Sequence, residues 1–139
     1  MTVDWGRVQH FIPEEFGDHA KQVNPELVYT VEAIRQLSGT PVNIHLPIDG
    51  PAHAENSWHH KLLALDFHFG KGLSHFSEFT ILSSFSQIGG IGFYPEWSPR
   101  PGWHIDLRPY KIRSLWFRVG GDYYYGWEQL ARVLSIFTT

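Results

Sequence analysis

Two short runs hold the residue types that do chemistry. ENSWHHKLLALDFHF, residues 55–69, sets His59 and Asp66 seven positions apart, and GWHIDLRP carries His104, Asp106 and Arg108 at alternate positions. Two imidazole nitrogens and one carboxylate oxygen are a common ligand set for catalytic Zn2+, with the fourth position left for water. Asp66 raises the question most sharply, because Leu63, Ala64, Leu65 and Phe67 around it read as a buried strand. An unpaired carboxylate in such a place is costly or takes up a proton. It needs either a metal ion or a cation such as Arg108 or Arg113. His59, Asp66 and His104 are therefore the candidate metal ligands, and Zn2+ the candidate cofactor.

A metal-activated water also needs a base to take its proton. Asp106 shares a strand face with His104, since side chains alternate along a strand. It is read either as that base or as the hydrogen-bond partner that fixes the tautomer of a ligand histidine. Glu96, in the proline-rich loop before His104, is the other candidate base. Ser57 has no His–Asp pair to make it a nucleophile; it is expected to order the ligand loop and to stand near the substrate. Trp103, with Trp97 and Tyr94, lines a substrate groove or packs the core. His68 is expected as lining or surface, and His60 as pointing away from His59. The run DYYYGW reads as an aromatic surface patch without chemistry.

These residues need elements to hold them. Asn24 and Pro25 open a helix whose Leu27, Val31, Ile34 and Leu37 fall on one face, and Gly39 stops it. A short helical turn enters through Pro13. TPVNIHL is a strand, residues 47–58 a loop, and KLLALDFHF a strand. A second helix is expected over 73–87. IGFYP and WHIDLRP follow as strands joined by a proline-rich turn, then the strand SLWFRVG, and WEQLARVLSIF closes the chain as an amphipathic helix. Mixed helices and strands, with late strands able to pair as a meander, predict an α+β fold: a small antiparallel sheet with helices packed on it.

Composition narrows the function classes. A chain of 139 residues predicts one domain, residues 1–139, and an apolar content of 42% supplies a core. With no cysteine, thiolate metal sites and cysteine nucleophiles are excluded, and the nine histidines become the metal-binding resource. The net charge of −3 without a basic block argues against nucleic acid as a partner. No run of about 18 apolar residues predicts membrane insertion, and no signal peptide is read at the start, so the expectation is a soluble chain made in the cytoplasm.

The run Ser57 to Asp66 resembles the S-x-H-x-x-G-x-A-x-D motif of the zinc D-alanyl-D-alanine carboxypeptidases (VanY-like, Hedgehog-like peptidases), matching at Ser57, His59, Ala64 and Asp66. GGIGFYPEWSPRPGWHIDLRP is similar to that family's G-x-G-x-Tyr-Pro stretch followed by H-x-D-x-R, matching at Gly90, Gly92, Tyr94, Pro95, His104, Asp106 and Arg108; Trp116 stands where a tryptophan follows. With HFIPEEF and VEAIRQLSGTPVNI, the resemblance spans residues 10 to 118. It implies a Hedgehog/D,D-peptidase-like fold and a zinc peptidase acting on peptidoglycan stem peptides, as a D,D-carboxypeptidase or an L-alanyl-D-glutamate endopeptidase. Such an enzyme would reach the cell wall by a lysis or phage route. Three positions depart from the pattern. Leu62 replaces the motif glycine. His45 stands on the strand after which the family has a substrate-binding arginine, with Arg100 the nearest substitute. Pro101 replaces an acid three residues before the last ligand. The alternative these departures support is an inactive member serving as a binding or structural module.

Overall fold

Asn24 Oδ1 accepts the backbone N–H of Glu26 at 2.9 Å, and Pro25 follows where no hydrogen-bond donor is needed. This opens helix α1 (Pro25–Ser38), which ends where Gly39 takes the left-handed conformation. The computed structural model describes residues 1–50, 53–54 and 56–136. Part of the expected 47–58 loop, and Phe137 of the expected last helix, lie outside the described residues. Leu27, Val31 and Ile34 of α1 are fully buried, whereas Leu37, expected on the same face, is 60% exposed in the last turn.

The fold is α+β: a six-stranded, mostly antiparallel sheet with helices packed on it. Its strands are β1 (Val42–Ile44), β2 (Ala64–Phe69), β3 (Gly90–Tyr94), β4 (Gly102–Asp106), β5 (Ser114–Val119) and β6 (Asp122–Tyr125), and the spatial order is β1-β2-β4-β3-β5-β6. Helix α2 (His75–Ser83), capped by Ser74, is shorter than the expected 73–87; α3 (Trp127–Ile136) closes the described chain. Pro13–His19 forms the expected early helical turn.

The late strands do not form a meander. β4 pairs with β3 and β2, and β5 lies on the other side of β3, parallel to it. Gly90 has Asp106 as partner on one side and Ser114 on the other, so the chain leaving β4 crosses the end of β3 and re-enters the sheet beside the same residue. Arg113 anchors this crossing by donating to the carbonyls of Ser83, Phe85 and Ile88 at 2.7–2.9 Å.

Period-two alternation separates core from chemistry. Leu65, Phe67, Phe69, Ile91, Phe93, Trp103 and Ile105 are all 1% exposed or less and join one apolar cluster with Leu27, Ile34, Leu82 and Leu130 from the three helices. Burying each such side chain stabilises the fold by about 1.5–3 kcal/mol. The opposite face carries Asp66, His104, Asp106, Tyr94, Trp116, Arg118, Tyr123 and Tyr125, as the registers require. Among the described residues, no helix is long and apolar enough to cross a membrane.

Candidate metal centre

β2 and β4 pair so that Asp66 stands directly opposite His104. His59 comes from a 3-10 turn, Trp58–Lys61, just ahead of β2. Ser57 caps this turn by accepting the N–H of His59 at 3.1 Å. The turn ends at Leu62, the one described non-glycine residue with positive φ (+56°). A glycine adopts that conformation without steric cost, which is a physical reason for glycine at this place in the motif. Here the same turn is made by leucine, whose side chain packs against the core.

Three atoms meet in the resulting site. His59 Nε2, His104 Nδ1 and Asp66 Oδ1 lie 3.1 Å from one another along all three sides of a triangle. The remaining nitrogens assign the tautomers. His59 Nδ1 donates to the carbonyl of Ile48 at 3.0 Å, and a carbonyl only accepts, so Nε2 carries the lone pair. His104 Nε2 donates to Asp106 Oδ2 at 2.7 Å, so the nitrogen turned to the site is Nδ1, which carries the lone pair once the ring is neutral. Two lone pairs and a carboxylate oxygen thus converge on one point. A single shared proton serves at most two of them; a metal ion serves all three. Four-coordinate zinc with bonds of about 2.0–2.1 Å spaces its ligand atoms about 3.3–3.4 Å apart, so the donor set fits a metal of that size.

The alternative partners of Asp66 are otherwise engaged. Arg113 is held by carbonyls. Arg108 grips Asp106, with Nε 2.7 Å from Oδ1 and Nη2 2.6 Å from Oδ2. Asp106 is therefore fully buried between His104 and Arg108, in the position of a residue that orients a ligand, with no oxygen facing the cavity as a free base. Electrostatics follow from this packing. Burial works against the charged ring of His104, but Asp106 and Asp66 outweigh it and push its pKa up to about 9. Burial also works against the Asp66 carboxylate, yet His104 and His59 hold it well below the usual range. The same contest, won by His104 and Arg108, lowers Asp106 to about 2.

The triangle is part of the wall of a cavity of about 460 Å³, lined also by Trp58, Tyr94, Trp97, Trp116, Arg118 and Tyr125. Two glycines make room for it. A Cβ at Gly90 would strike the Asp106 carboxylate, and one at Gly92 would strike the Trp116 ring. Trp116 can thereby lie across β3 with its ring centroid 5.1 Å from that of His104.

Sequence reasoning missed His53. Its ring stacks on His59 at 3.7 Å between centroids, and His53, His59 and Asp66 each offer a ligand atom within 4.8 Å of the others, a group able to hold a metal ion. Burial, followed by the neighbouring His59, lowers its pKa, so its ring is neutral at neutral pH. No periodicity governs a loop residue, and nothing local distinguished His53 from the other histidines. β6 was missed although a signal existed: Gly120 and Gly121, both with positive φ, form the two-residue hairpin turn between SLWFRV and DYYY. The DYYYGW run is an exposed aromatic patch, as expected, and its Tyr123 and Tyr125 also line the cavity.

Three expected site residues are elsewhere. Trp103 is fully buried on the core face, its Nε1 donating to Glu78 Oε1 at 2.9 Å, because adjacent residues of a strand face opposite ways and His104 faces the cavity. Glu96 is exposed, outside the cavity lining, and accepts the N–H of Gly120 at 2.8 Å in the β5–β6 turn. Arg100 lies with Lys71 and Ser74 beside the start of α2, outside that lining too. Ser57 lines the cavity as well as capping its turn. His45 and His68 pair with each other at 2.8 Å, and His60 pairs with Asp49 at the surface. No protein-family model, curated protein or solved structure matches this chain.

Proposed function

We propose that the protein is a zinc-dependent peptidase that cleaves peptidoglycan stem peptides, as a D,D-carboxypeptidase or an L-alanyl-D-glutamate endopeptidase. One observation carries the metal half of this reading: three lone-pair atoms converge at 3.1 Å on the wall of an open cavity, with the far nitrogen of each imidazole tied off by a buried acceptor. The motif resemblance carries the substrate half. It gains physical weight from Gly90, Gly92 and Leu62, because each motif position has a steric reason in this fold.

When bound, zinc supplies an acidified water and polarises a carbonyl oxygen. His59, Asp66 and His104 would hold it. Asp106 keeps the proton of His104 on Nε2 and so keeps Nδ1 aimed at the site. His53 is the residue whose free ring nitrogen can take the proton of the attacking water. Trp58, Trp116 and the Tyr94–Trp97 stack give a peptide apolar walls to lie against. The enzyme would act at the cell wall, reached by a lysis or phage route. The test is incubation of the zinc-loaded protein with defined stem peptides, with release of D-alanine or of the L-alanyl fragment as the readout.

One observation favours a second reading. Among the described residues, Asp66 is the only carboxylate lining the cavity, and His53 is near enough to join the ligand set. A metal held by His53, His59, Asp66 and His104 would be a closed site, of the kind that serves structure. The chain would then be a zinc-stabilised binding module. Zinc binding without cleavage of any stem peptide selects this reading.

A further inference from the structure

One row of the sheet leads away from the ligand triangle. His104 pairs with Gly92, Gly92 with Trp116 and Trp116 with Tyr125, on four neighbouring strands that end at the edge strand β6. Side chains paired in this way share a face. Gly92 adds none, and the Trp116 ring fills its place. Trp116 is pinned there by its Nε1, which donates to the Tyr94 hydroxyl at 3.1 Å. Tyr123 widens the row. Its ring lies 6.5 Å from that of Tyr125 with 24° between the planes, and the Arg118 guanidinium lies over it, 5.2 Å from the centroid. An indole and two phenols thus form a surface continuous with the cavity of the metal centre.

Tyr123 and Tyr125 line that cavity yet remain 47% and 63% exposed, so packing within the chain does not account for them. An exposed aromatic surface that runs into a cavity marks a place where a ligand lies. The ligand's chemistry follows from what the surface offers. An acyl chain would leave the phenol hydroxyls and the guanidinium without hydrogen-bond partners. A polyanion would approach a chain of net charge −3. A pyranose has an apolar C–H face to lie on an aromatic ring, and hydroxyl and acetamido groups at its rim to bond phenols and a guanidinium.

We propose that the Trp116, Tyr123 and Tyr125 face binds the amino sugar of the glycan strand that carries the stem peptide, with the L-Ala-D-Glu bond at the triangle. This rests on the peptidase reading above and chooses between its two bonds. The stem peptide hangs from the lactyl group of N-acetylmuramic acid. The L-Ala-D-Glu bond is one residue from that group, about 3.5 Å of chain, and the D-Ala-D-Ala bond is four residues away, about 14 Å. Strands about 4.8 Å apart put the Cα atoms of Trp116 and Tyr125 roughly 10 and 14 Å from that of His104. With L-Ala-D-Glu at the triangle the sugar falls on these rings. With D-Ala-D-Ala there, the sugar falls beyond the edge of the sheet.

The experiment compares the pentapeptide L-Ala-γ-D-Glu-L-Lys-D-Ala-D-Ala with the same peptide carried on N-acetylglucosaminyl-N-acetylmuramic acid. Initial rates are taken with the zinc-loaded protein, and affinities by calorimetry with the zinc-free protein, where nothing is cut. The wild type should favour the sugar-bearing form about tenfold or more in both, the scale of one or two ring contacts. Tyr123→Phe with Tyr125→Phe keeps the ring faces and should keep most of the preference. Tyr123→Thr with Tyr125→Thr keeps strand-forming residues and should lose it, with zinc affinity and melting temperature unchanged. The proposal is overturned if the wild type binds both forms equally or binds neither, or if the threonine variant keeps the preference. It is also overturned if sedimentation shows a dimer that the threonine variant abolishes, because a second copy then covers the tyrosines. The products locate the bond: release of the L-alanyl disaccharide is expected, and release of D-alanine alone contradicts the placement. A zinc-loaded protein that cuts neither form contradicts the peptidase reading instead, and the sugar preference in the zinc-free protein still decides the role of the tyrosines.

Discussion

His104 Nε2 donates to Asp106 Oδ2 at 2.7 Å, and this single bond decides which nitrogen of the ring faces Asp66 and His59. Replacing the carboxylate by an amide removes the charge that holds the tautomer. Asp106→Asn should weaken zinc binding by roughly 10–100-fold. Hydrolysis should return when zinc is raised to saturation. If the loss persists with the site full, as read by zinc titration alongside the assay, Asp106 is the base and its role here is wrong.

His53 and Glu96 separate the roles of the remaining candidates. His53→Ala should retain zinc and lose about 10²–10⁴-fold in kcat, the span typical of a general base. Glu96→Gln should alter neither, since its carboxylate contacts the Gly120 N–H outside the cavity. The opposite pair of results would return the base to the loop before β4.

The β3 glycines predict a stability and a binding effect together. Gly92→Ala places a methyl group in the Trp116 ring, and Gly90→Ala places one in the Asp106 carboxylate. Overpacking of this kind costs about 1–3 kcal/mol, measurable by urea unfolding. Only Gly90→Ala should also lower zinc affinity, because it moves the partner of His104.

Leu62 offers a cleaner backbone test. Leu62→Gly and Leu62→Ala both remove the side chain, but only glycine relieves the left-handed conformation at φ +56°. The glycine variant should be the more stable of the two by about 1 kcal/mol. Equal stabilities would show that the turn relaxes in the variants.

How far the sequence disclosed this site depended on what carries the information. Asp66 and His104 were legible because strand alternation and the motif both act locally. Trp103 was readable by the same rule: once His104 faces the cavity, its neighbour cannot. The parallel pairing of β5 with β3 depends on a crossing of the chain that no local pattern encodes. His53 and Glu96 lie on loops, where periodicity says nothing of direction, so one was missed and the other misplaced. The Gly120–Gly121 turn was a local hairpin signal, and reading it would have brought Tyr123, Tyr125 and Arg118 to the cavity.

Protonation of the ligand set predicts the pH response. His104, pushed up to about 9, is raised above its unfolded value of about 6.5. The stability it adds to the zinc-free protein is complete below about pH 6.5 and is lost as pH rises through about 9. Zinc must expel that proton, so its affinity should increase by up to about tenfold per pH unit and level off near pH 9. Asp106, lowered to about 2, adds stability present above about pH 3.9 and lost as pH falls through about 2. Melting curves and zinc titrations between pH 6 and 9.5 check the first window. A zinc affinity independent of pH there would mean that no proton is shared at the triangle.

The central claim is that His59, Asp66 and His104 hold one zinc ion. Anomalous diffraction at the zinc edge, on crystals grown with the metal, tests it most directly. The account predicts one peak, about 2.0–2.2 Å from His59 Nε2, His104 Nδ1 and Asp66 Oδ1. An empty triangle with zinc elsewhere, for instance between His45 and His68, would contradict it.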